Sequence, residues 1–123
     1  MANEITITAE LRVAKGGAMD GLRFGPGVFT FTGSRLIHGA QSIGFAAEEA
    51  LQLGEVTAGG WIFLRNLDAT NFVSMRGATG QTPLVKMGPG QPAGPFVLHP
   101  SATAPTLQAN VAACTVEYLV LEA

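Results

Sequence analysis

Two histidines, His38 and His99, are the side chains best suited to moving protons near neutral pH, and they stand about sixty positions apart. Each falls at the end of an expected strand, where a histidine usually serves as a polar rim residue. Neither has a second histidine two positions away, so the His-x-His pair that a cupin-type metal enzyme would need is not spelled out. Glu48 and Glu49 are neighbours, and on an extended chain their side chains point to opposite faces. They cannot then act together as the two carboxylates of a glycosidase. Glu10, Glu55 and Glu117 are scattered singly. Asn66, Asp68 and Asn71 could offer oxygens to Ca²⁺ from one loop. They carry a single formal charge, and turn chemistry accounts for them equally well.

Serine nucleophiles lack a Gly-x-Ser-x-Gly setting, and Gly88-Pro89-Gly90 runs into Gln91-Pro92 rather than Gly-Lys-Ser/Thr. Arg12, Arg35, Arg65 and Arg76 are spread over different strands, which suits pairing with carboxylates across subunits better than tracking a phosphate backbone. Cys114, the single cysteine, cannot form an intrachain disulfide and lies in an apolar run where a buried, inert thiol is expected. These residues point to a chain that is not an enzyme and that uses no metal or other cofactor.

The elements that position these residues are organised around Gly59 to Gly77. Trp61-Ile62-Phe63-Leu64 has the aromatic and branched composition of a strand. Asn66, Asp68 and Asn71 mark a polar turn, and Phe72 to Arg76 resumes strand alternation. The expectation is a β-hairpin with a loop of about four to five residues. Upstream, Ile5, Ile7, Ala9, Leu11 and Val13 alternate with polar residues, the signature of a half-buried strand. Residues 16–27 hold five glycines and a proline, which predicts a long loop. Short strands are expected at Val28–Thr32, Arg35–His38 and Gln41–Ala46. Residues 46–53 read as a strand or bulged connection in preference to a two-turn helix.

Further strands are expected at Leu84–Met87, Phe96–His99 and Thr106–Asn110, with a turn at Gly88-Pro89-Gly90 and a polar loop at Ser101–Pro105. The prolines at 92 and 95 confine any strand there to a sheet edge. The last strand, residues 113–122, carries Val116, Tyr118 and Val120 on one face and Leu119 and Leu121 on the other. It is therefore expected to be buried on both sides, hence central or at a subunit contact. Eight to ten short strands with at most one short helix predict an all-β fold. The expected form is a single β-sandwich domain spanning residues 1–123, jelly-roll-like in organisation.

Composition bounds the partners. The 123 residues carry a net charge of −2, which leaves no basic footprint for nucleic acid. No apolar stretch approaches the roughly 20 residues that a membrane span requires, so no membrane partner is expected. The N-terminus lacks the basic segment and apolar block of a signal peptide, which implies synthesis in a cytoplasm. Only 13% of residues are charged and 47% are hydrophobic, against roughly 25% charged in an ordinary soluble domain. Depleted charge suits a surface buried against other chains. Ile5, Ile7, Leu119 and Leu121 on the two flanking strands are the candidate interface residues.

The run from Gly60 to Val73 (GWIFLRNLDATNFV) resembles a pattern in small tailed-phage virion proteins. In those, a strand ends in Asn-Leu-Asp, a turn follows, and Asn-Phe/Tyr-Val opens the next strand. The likeness extends through Leu84–Met87 with Pro89-Gly90 after it, through the closing strand Cys114–Glu122, and to Ile5–Val13 and Gln41–Gly44. Such proteins are similar to capsid decoration (cement), head-fibre or tail-associated subunits. The resemblance implies a bacteriophage structural protein without catalytic residues, located on the virion after synthesis in a bacterial cytoplasm. Its partners would be the major capsid protein or other virion proteins, together with further copies of itself, a trimer being favoured. A small carbohydrate- or host-surface-binding module is the alternative, with Trp61, Phe63 and Tyr118 as stacking residues.

Overall fold

The alternating residues near the N-terminus form strand β1 (Ile5–Lys15), and its partner is the stretch expected to be a loop. In a computed structural model that describes residues 4–99 and 105–123, β2 (Ala18–Phe29) runs antiparallel to β1. Three of the glycines that argued against a strand have a local task. Gly16 and Gly17 (φ 55° and 87°) make a two-residue turn of the kind that matches the twist of a hairpin. Gly25 (φ 91°) sits where the register shifts between Ile7 and Ala9, and a Cβ there would collide with the Ile7 carbonyl oxygen. Thr30 to Thr32 lie beyond the strand.

The chain divides into two compact units, up to Thr32 and from Gly33 onward. The two facing sheets belong to the second. Its strands are β3 (Leu36–Ile43), β4 (Glu49–Ala50), β5 (Gly59–Asn66), β6 (Val73–Arg76), β7 (Val85–Met87), β8 (Pro92–Val97), β9 (Thr106–Ala109) and β10 (Cys114–Glu122). They form two four-stranded sheets, ordered β3-β10-β5-β8 and β4-β9-β6-β7, with antiparallel pairing throughout. Among the described residues there is no helix, and residues 46–53 hold bends and the short β4. The polar loop expected at Ser101–Pro105 falls largely outside the described residues.

Period-two alternation directs one face of each sheet inward. Ile62, Leu64, Val116, Tyr118 and Val120 come from one sheet, and Val73, Met75, Met87, Leu107 and Ala109 from the other. They meet in one core with Ile43, Leu51, Val56 and Cys114. Burying each large aliphatic chain stabilises the fold by about 1.5–3 kcal/mol. Strand β10 is central, as its apolar composition predicts, lying between β3 and β5. Within one chain it is buried on one side: Cys114, Val116, Tyr118 and Val120 face the core, while Leu119 is 36% exposed and Leu121 half-buried on the other face, which leaves that face to the expected subunit contact. An antiparallel sandwich covers only the inner face of each sheet. Strand β8 takes the edge position that its prolines require.

The expected hairpin over Gly59–Gly77 does not form. Strands β5 and β6 lie in different sheets, and the segment between them carries the chain across the sandwich. Both edges of β5 are taken by β8 and β10, which leaves no edge for β6. The turn residues themselves behave as their chemistry predicts. Asn66, fully buried, donates from Nδ2 to the carbonyls of Asn71, Met87 and Gly88 at 2.9–3.1 Å, its two hydrogens shared among three acceptors. Its Oδ1 accepts from the Asp68 amide at 3.0 Å. Asp68 in turn accepts from the backbone amides of Thr70 (3.0 Å) and Asn71 (2.7 Å). These bonds replace the ladder that a hairpin would have used.

Candidate interaction surfaces

The residues first weighed for chemistry are dispersed and engaged in structural bonds. His38 lies within β3, and its Nε2 is 3.2 Å from Glu117 Oε2 on the outer face of the sheet. His99 follows β8 and is exposed. Glu48 and Glu49 do separate: Glu48 accepts from Thr106 Oγ1 at 3.0 Å and pairs with Arg76 at 3.5 Å, while Glu49 accepts from the Gly44 amide. Arg76 therefore finds its carboxylate within the chain rather than across a subunit boundary. The Asp68 carboxylate is held below its ordinary value by the backbone amides of Asn71 and Thr70. Asn66 Oδ1 and Asp68 Oδ2 are thus engaged by backbone amides of the loop itself. Among the described residues, no three His, Cys, Asp or Glu side chains group so as to hold a metal ion.

Cys114 is 2% exposed, and burial together with the Asp68 charge pushes its thiol up. Tyr118, weighed as a stacking residue, faces the core and donates its hydroxyl to the Gln52 carbonyl at 2.7 Å. Burial raises its hydroxyl as well.

Two apolar sheet faces remain open. On the sheet β3-β10-β5-β8, the register sets Leu119 between His38 and Phe63, and Leu121 opposite Leu36. Trp61 and Val97 pair on the same face. Phe63 is 45% exposed and Leu36 56%. His38, Phe63, Arg65, Glu117 and Leu119 line a shallow concavity of about 400 Å³ here. Leu119 and Leu121, two of the four expected interface residues, belong to this face.

The other open face is on the hairpin of β1 and β2. Ile5 and Ile7 stand at its base, the first buried and the second half-buried. Beyond them the register pairs Ala9 with Phe24 and Leu11 with Leu22. Leu11 and Leu22 are 78% and 79% exposed. The sequence reading missed Leu22 and Phe24, because the glycines around them obscured the alternation. Ile5 and Ile7 thus mark one open face, and Leu119 and Leu121 the other. Compared with known proteins, the chain matches no family model, and no curated protein or solved structure is significantly similar to it.

Proposed function

We propose that the chain is a non-enzymatic structural subunit of a tailed-phage virion, most specifically a capsid decoration (cement) subunit. It works as a homo-oligomer, a trimer being favoured, and binds the major capsid protein or another virion protein. The observation that carries this reading is the pair of open apolar sheet faces, since contiguous exposed apolar surface marks partner sites. The sequence likeness directs the reading to the particle surface. The strand order of the sandwich supports a jelly roll: counting from β3, the sheets run first-eighth-third-sixth and second-seventh-fourth-fifth. That architecture serves viral capsid proteins, and lectins as well.

Apolar contact and edge-strand pairing would supply the affinity. Particles lacking the chain should release their DNA at a lower temperature than complete ones, and adding back the purified chain should restore the difference. Equal release temperatures would contradict a cement role. A tail- or fibre-associated place on the particle uses the same surfaces.

A carbohydrate- or host-surface-binding module is the second reading. The concavity beside Phe63, where an aromatic face meets Arg65 and the His38–Glu117 pair, favours it. Glycan-array binding that is lost in Phe63→Ala, with the fold intact, would establish this reading in place of the first.

A further inference from the structure

A two-stranded hairpin on its own is at best marginally stable in water, yet β1 and β2 pair over their whole lengths with no third strand beside them among the described residues. One of its faces carries most of its charged side chains, with Val28 and Met19 exposed among them. Glu10 stands opposite Arg23 there, with Arg12 3.9 Å from Glu10 and Thr6 and Thr8 nearer the base. The other face carries Ile7, Ala9, Leu11 and Val13 from β1, and Phe24 and Leu22 from β2. Val13 is 53% and Phe24 47% exposed, beside the nearly bare leucines, and the rings of Phe24 and Phe29 stack at 6.0 Å. Among the described residues these side chains are left largely exposed.

We propose that this face packs against the same face of other copies of the chain, in a closed cyclic set with the hairpin tips together. The inference rests on the reading of the chain as an assembling subunit and names the contact that assembles it. Charge placement selects both the occupant and its orientation. Lys15 and Asp20 lie on the apolar face at the tip, the first on β1 and the second on β2. Among the described residues neither belongs to an intrachain ion pair.

Rotation about an axis parallel to the strands sets β1 of one hairpin beside β2 of the next. Lys15 then meets the partner's Asp20, and the leucines meet one another between these pairs. A tip-to-base arrangement would instead press both charges against the Ile5 and Phe29 end, where their desolvation goes uncompensated. The free edges of β1 and β2 also run antiparallel when brought side by side in such a ring, so backbone pairing can close it.

The test is the mass of the purified full-length chain by light scattering, for the wild type and four variants. Protection of Cys114 from a thiol reagent shows in each variant that the sandwich is intact. The wild type should have a whole multiple of 12.7 kDa, and Leu11→Asp/Leu22→Asp should be monomeric. Lys15→Asp and Asp20→Lys should each weaken the oligomer at least tenfold, and the two combined should restore it. A monomeric wild type at the highest soluble concentration would overturn the proposal. So would an oligomer that survives the double leucine variant, or a charge swap that fails to rescue. A monomer that still decorates capsids would overturn this inference and leave the particle reading standing, whereas an oligomer absent from every virion would do the reverse.

Discussion

Asn66 holds the crossing between the sheets with one side chain. It is wholly enclosed, and it donates to three carbonyls, of which only that of Gly88 also accepts from the Gln91 amide among the turn and loop backbone bonds. Asn66→Ala removes these bonds and leaves buried acceptors unsatisfied, which should lower stability by roughly 2–4 kcal/mol. Urea unfolding followed by tryptophan fluorescence measures this directly, and a loss within error of zero would contradict the role. Asp68 contributes by charge. Its folded carboxyl titrates below the ordinary 3.8 because the Asn71 and Thr70 amides bond the ionised form. The unfolded chain therefore binds the proton more readily. The stabilisation is complete above the unfolded value and is lost as pH falls through the folded one. Thermal unfolding between about pH 5 and about pH 2 should be less pH-dependent in Asp68→Asn than in the wild type.

At the scale of elements, local pattern and pairing partner separate cleanly. Strands β5, β6, β7, β9 and β10 are legible in composition and alternation, and the prolines of β8 correctly place it at an edge. What joins β5 to β6 is not legible, because a polar Asx turn serves a hairpin and a sheet-to-sheet crossing alike. The choice falls to β8 and β10, whose claims on the edges of β5 come from distant sequence. Glycine misleads for a related reason. At 16 and 17 it builds a turn, and at 25 it permits a close approach, yet the intervening residues keep strand alternation.

The same device recurs in β8, where Gly94 (φ 95°) stands at the shift between Ile62 and Leu64. A Cβ there would lie 2.6 Å from the Ile62 carbonyl oxygen. Gly94→Ala should destabilise by roughly 1–3 kcal/mol, whereas alanine at Gly80 (φ 82°), with no atom within 4 Å, carries the conformational strain alone. Comparing the two by denaturant midpoint separates collision from strain, and equal losses would contradict the close approach.

For the whole molecule, low charge is the sequence feature that best anticipates the surface. It accords with two open apolar faces, whereas periodicity alone left the second face of β10 to either a central position or a subunit contact. A single sequence does not say whether an apolar face is covered by its own chain or by another. The interface residues Ile5, Ile7, Leu119 and Leu121 lie on or at the base of those faces, and their burial in an assembly is the proposal. The closed core gives an independent check on the sandwich. Cys114 should resist a thiol reagent in the folded chain and react at once in denaturant, since its sulfur is enclosed and its thiolate disfavoured. Rapid labelling under native conditions would show that the core opens.

The measurement that bears most directly on the proposed role is a cryo-EM reconstruction of the phage particle with this density located. Density is expected on the capsid lattice, with neighbouring copies in contact through their hairpins. Density confined to the tail or portal would move the subunit to another part of the particle, and its absence from the particle would contradict the structural role.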